Sequence, residues 1–138
     1  MTKKPAAILF VFFSLAGVSV WAVDAYEEGN RYFKEKNYEG AIQAYRQALQ
    51  SAPGNPTIKR SLDWARSGAL SEKGLEASRR GDWDEAVDDF QEAVRLNPDQ
   101  KDVGAHLNGA LREKAKRAVD LEAQERRLRE EIRRERNV

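Results

Sequence analysis

The chain has 138 residues, enough for one domain, with 24 basic against 23 acidic side chains and 34% of residues charged. So even a balance leaves no broad field for nucleic acid. The absence of cysteine excludes a disulfide framework, a thiolate metal site and a cysteine nucleophile, and the lone His106 cannot build a multi-histidine metal centre.

The amino-terminal segment reads as an address. Lys3 and Lys4 precede an uncharged apolar run from Ala6 to Val23, and Asp24 is the first acid. That order is the basic region and apolar region of a signal peptide, and Val20-Trp21-Ala22 offers small residues at alternate positions for a peptidase. The run is also about as long as the ~17–25 residues that cross a bilayer, so residues 1–22 are either a cleaved signal or an uncleaved membrane anchor. Both readings place Asp24 onwards outside the cytoplasm, because Lys3 and Lys4 hold the start inside. The expected location is extracytoplasmic or periplasmic, with inner-membrane attachment only through this segment.

The next stretch, YEEGNRYFKEKNYEGAIQAYRQALQSAP, returns 45 positions later as SEKGLEASRRGDWDEAVDDFQEAVRLNP. The overlay pairs Gly29 with Gly74, Asn37 with Asp82, Tyr38 with Trp83 and Ala41 with Ala86. It also pairs Ile42 with Val87, Tyr45 with Phe90, Ala48 with Ala93 and Pro53 with Pro98. In each unit a helix gives way to a short polar residue, Asn37 or Asp82, that can cap the start of the next. Asp82 and Glu85 stand in capping-box spacing. The second helix carries a one-sided stripe, Ala41, Ile42, Tyr45, Ala48 and Leu49, and Pro53 or Pro98 stops it.

This pattern resembles the tetratricopeptide repeat: Gly29, Tyr32, Ala41, Tyr45, Ala48 and Pro53 in one unit, Gly74, Ala86, Phe90, Ala93 and Pro98 in the other. It departs at Ala77, where the family has an aromatic. The tryptophan and leucine usual in the first helix are replaced by Ala25 and Glu28, then Leu70 and Lys73. The small residues let two helices approach while Tyr32 and Tyr45 fill the space around them. The resemblance implies an all-α repeat solenoid, with repeats over about residues 23–55 and 67–98.

The family period is about 34 residues, so the interval here is about eleven longer, close to three turns of α-helix. Asn55 as cap and Pro56 at the first helical position begin that extra segment, and Ile58, Leu62, Ala65 and Ala69 lie on one side of it. The spacing predicts one helix from about Pro56 to Arg80, roughly 37 Å long, whose front half packs back on the first repeat. A break near Gly68 is the alternative.

The same pattern follows the second repeat. Val103, Leu107 and Ala110 stand where Ile58, Leu62 and Ala65 did, so residues 99–138 are expected to form a capping helix running into a charged tail. The tail from Arg112 to Arg136 holds ten basic and seven acidic residues. A heptad reading puts Ala118, Leu121, Leu128 and Ile132 at a and d, interrupted by Lys114 and Glu125. The tail reads either as a solvated helix or as one that pairs with a partner protein or a second copy.

The resemblance implies a non-enzymatic adaptor that holds a protein or peptide segment on the concave face. Carrying the family's face positions onto this chain selects Tyr26, Asn30, Phe33 and Lys34, then Leu75, Ser78 and Arg79. Tyr26 stands where a carboxylate clamp has lysine. Two repeats fall below the three that usually make a stable solenoid, so the second expectation is a structural subunit or homo-oligomer associating through its long helices. No cofactor or metal is expected: acids at Asp82, Asp84, Glu85, Asp88 and Asp89 complement a helix start, and their spacing lacks the glycine and final glutamate of a calcium loop.

Overall fold

Among the described residues the chain forms five helices, and short polar residues cap the starts of three of them. The computed structural model describes residues 16–137, and its helices are α1 (Ala16–Lys34), α2 (Tyr38–Ser51), α3 (Pro56–Arg80), α4 (Trp83–Leu96) and α5 (Lys101–Arg136). Lys3, Lys4 and most of the apolar run read as a signal or anchor lie outside the described residues. Among the described residues, no helix is long and apolar enough to cross a membrane.

Asn37 caps α2 by accepting the Gly40 amide at 3.0 Å, and Asn55 caps α3 by accepting the amides of Thr57 and Ile58, with Pro56 at the first helical position. Asp82 accepts the Glu85 amide at 3.4 Å, but the reciprocal half of the expected capping box does not form. The Asp82 N–H is already donated to the Ala77 carbonyl at 2.9 Å, part of the left-handed turn at Gly81 (φ 75°) that ends α3. Glu85 therefore turns its carboxylate to Arg80 at 2.7 Å and Lys73 at 3.3 Å. The first repeat makes the same turn without glycine: Lys36 holds φ 58°, and the Asn37 N–H reaches the Tyr32 carbonyl.

Consecutive helices pack on one another: α1 on α2, α2 on α3, α3 on α4 and α4 on α5. Their connections are short, which makes neighbours antiparallel. Two apolar cores result, and α3 serves both. Ala25, Ala41, Ile42, Tyr45, Ala48, Ile58 and Ala65 form the first, with Tyr26, Tyr32, Phe33 and Leu62 packed against it. Ala77, Ala86, Val87, Phe90, Ala93, Val103 and Ala110 form the second, with Leu70, Leu75, Trp83 and Leu107 against it. The front of α3 thus belongs to the first repeat and its rear to the second.

The break considered at Gly68 does not occur. Gly68 is where the Tyr38 ring lies on α3: a Cβ there would run into the edge of that ring. Removing the side chain lets α2 and α3 approach, and this packing offsets the roughly 1 kcal/mol that a helical glycine costs. The join between the two units is polar, with Ser67 Oγ donating to the Ala93 carbonyl at 2.8 Å.

Candidate functional site

The first-repeat residues selected from sequence are drawn into their own hairpin. Gly29 leaves room for the Tyr45 ring, which lies 5.7 Å from the Tyr26 ring centre to centre. A buried phenol needs a hydrogen-bond partner. The Tyr45 hydroxyl donates to Asn30 Oδ1 at 2.9 Å, and burial pushes its pKa up, so it stays a protonated donor. Tyr26 in turn shares a 3.3 Å hydrogen bond with Ser61 of α3. Tyr26 and Asn30 are thereby engaged inside the first repeat. Phe33 packs edge-on against Tyr38 at 5.7 Å and lines a shallow recess with Trp64, Gly68 and Asn97, while Lys34 is exposed at the end of α1.

The second-repeat residues lie elsewhere. Gly74 takes the Phe90 ring as Gly29 takes Tyr45. Phe90 stacks beside His106 of α5 at 5.6 Å with 24° between the rings. Leu75 and Ser78 of α3, Trp83 and Phe90 of α4, and Ala105, His106 and Gly109 of α5 enclose a groove of about 410 Å³, with Arg112 and Glu113 at its rim. Ser78 donates its hydroxyl to the Gly74 carbonyl at 2.8 Å and presents the groove with an oxygen that can still accept. Arg79 is held by Glu76 at 2.8 Å outside the groove.

The two sets are not joined into one face. The first packs with α2 and the front of α3, and the second faces α5 from the rear of α3. The three extra turns of α3 move the hairpins apart along its axis. Sequence reasoning missed the α5 wall of the groove. Its signal was present in the spacing Ala105, Gly109, Arg112, beside the buried Val103 and Ala110 on the same helix.

The acids of α4 are used structurally. Asp84 meets Lys114 of α5, which holds the Asp84 carboxyl below its ordinary pKa while Asp84 raises that of Lys114. Asp89, largely buried, receives Lys73 on one oxygen at 3.3 Å. Donating to the Glu85 and Asp89 carboxylates keeps the Lys73 ammonium above its usual pKa. Among the described residues, no group of three or more histidine, cysteine, aspartate and glutamate side chains is placed to hold a metal ion.

Residues 29–62 match the family model described as TPR repeat, and residues 67–100 match the model described as tetratricopeptide repeat. The chain is similar to the human protein O-mannosyl-transferase TMTC1, 31% identical over 62% of this chain and 9% of that protein. It is similar to the photosystem I assembly protein Ycf3 of Synechococcus sp., 34% identical over 49% of this chain and 40% of that protein. It also resembles the human mitochondrial import receptor subunit TOM70, 34% identical over 54% of this chain and 11% of that protein. In each case the chain spans less than half of the relative's length.

Proposed function

The chain is a tetratricopeptide repeat protein with two repeats, and on that premise we propose that it is a non-enzymatic adaptor, binding a protein segment in the groove between the rear of α3 and the front of α5. The groove itself carries this reading. Leu75, Trp83, Phe90 and His106 give it an apolar, aromatic lining, Ser78 offers one acceptor, and Arg112 and Glu113 mark the rim. Rigid aromatic walls with few polar groups suit one apolar anchor residue of a partner, with hydrogen bonding at the edge. The relatives named for assembly and import reception support partner binding.

This reading prefers the groove to the face first read from sequence, where Tyr26 bonds Ser61 and Asn30 bonds Tyr45. Affinity capture from solubilised cells tests the assignment. Ala105→Trp fills the groove from an exposed position and is expected to remove the partners that the native chain retains. Lys34→Glu, on the first repeat, is expected to keep them. The reverse pattern would return the site to the first hairpin.

The repeats act outside the cytoplasm in this proposal. Lys3, Lys4 and the uncharged run from Ala6 to Val23 support it. Fractionation with analysis of the chain's amino terminus tests it, and recovery of the chain in the cytoplasm contradicts it.

A further inference from the structure

The recess beside Phe33 is built differently from the groove. Phe33 at the end of α1, Tyr38 at the start of α2, Trp64 and Gly68 on α3, and Asn97, Asp99 and Gln100 between α4 and α5 enclose about 430 Å³. Gly68 leaves the α3 wall without a side chain, which lets the Tyr38 ring lie against that helix. Phe33 stands edge-on to Tyr38 at 5.7 Å, and Trp64, one turn before Gly68, is 38% exposed. Three aromatic side chains therefore line one small space.

The charge at these rings is negative. Asp99 is exposed and is the one charged residue lining the recess; Lys34 and Lys101, on the adjoining helix ends, do not line it. Glu72 lies close enough to Tyr38 for its charge to push the phenol pKa up, adding to the larger effect of burial. Asn97 gives Nδ2 to Gln100 and keeps Oδ1 buried with no partner among the described residues, so this wall is short of a donor. Ring faces are electron-rich, and with carboxylates beside them they attract a cation. A guanidinium suits the site best, because its plane stacks on a ring while its N–H groups point edgewise to a carboxylate.

We propose that this recess takes an arginine side chain of the partner segment. The inference rests on the adaptor reading and adds a second recognition point to it. Trp64 and Leu75 are eleven residues apart on α3, close to three turns, so the recess and the groove are separate openings on one side of that helix. At 1.5 Å per residue, the interval from Trp64 or Gly68 to Leu75 is about 10–16 Å, which roughly three to five residues of extended chain span. The partner segment accordingly carries its arginine about four positions from its apolar anchor.

The tryptophans of the full-length chain make the test direct: Trp64 lines the recess, Trp83 lines the groove, and Trp21 lies in the apolar run before either. Their isotope-labelled indoles are followed by NMR in detergent solution. N-acetyl-arginine methylamide is expected to shift the Trp64 signal and leave those of Trp83 and Trp21 in place. Its neutral citrulline isostere, at matched ionic strength, is expected to bind at least about threefold more weakly. Asp99→Asn is expected to weaken the arginine probe by a similar factor. A peptide with leucine and arginine four positions apart, joined by serines, is expected to shift Trp64 and Trp83 together. Movement of Trp64 alone with that peptide would still support the recess while counting against the groove. No Trp64 shift with the arginine probe, or equal binding of the citrulline one, overturns the proposal.

Discussion

Phe90 lies where Gly74 has no side chain: a Cβ on Gly74 would stand 2.8 Å from Phe90 Cε1. The same relation holds between Gly29 and Tyr45 in the first repeat, at 2.5 Å from Tyr45 Cε1. Each hairpin closes by pressing an aromatic ring onto the bare backbone of the facing helix.

Gly74→Ala is therefore expected to destabilise the protein by about 1–3 kcal/mol, because the ring must give way in a filled core. Gly104→Ala is the control. It lies within α5 with nothing inside 4 Å of the added carbon, so it is expected to stabilise by about 0.5–1 kcal/mol. Denaturant unfolding of both variants checks the pair, and equal effects would remove the close-approach argument.

Lys36 and Gly81 occupy equivalent turns at φ 58° and φ 75°. A side chain in that left-handed region costs about 1–2 kcal/mol. Lys36→Gly is expected to recover about 1 kcal/mol of this, and Gly81→Ala to lose a similar amount. Thermal unfolding of the two variants should shift in opposite directions.

Lys114 and Asp84 fasten α5 to the start of α4, and their mutual pKa shifts set a pH window. Asp84 has a lowered folded pKa, so its contribution is present above the unfolded value near ~3.9 and is lost as pH falls through the lower folded one. Lys114 has a raised folded pKa, so its contribution is present below ~10.4 and is lost as pH rises through the higher folded one. Both side chains are exposed, which makes the effect small and sensitive to salt. Asp84→Asn should flatten the acid side of a low-salt stability profile and leave the high-salt profile nearly unchanged.

Local chemistry made the helices readable. Asn37, Asn55 and Pro56 act at the helix starts where their side chains suggest, and the buried stripe of α2 is the one its spacing describes. The length of α3 was also legible, because the inserted turns keep one face inward. Tertiary competition hid the rest. Asp82 could not complete a capping box once its N–H was taken by Ala77. Asn30 accepts from the Tyr45 hydroxyl, a partner that the repeat pattern does not announce. The α5 side of the groove depends on how far three extra turns displace one hairpin from the other, which repeat alignment alone does not express.

The groove over Phe90 and His106 is best tested by a photoreactive residue placed at Arg112 on its rim, with Lys59 on the exposed front of α3 as the control position. Irradiation in living cells is expected to link position 112 to a discrete protein, and Ala105→Trp in the same chain is expected to abolish that link while position 59 remains unlinked. Linkage at position 112 that survives Ala105→Trp, or that does not exceed linkage at position 59, would contradict a partner-binding groove between α3 and α5.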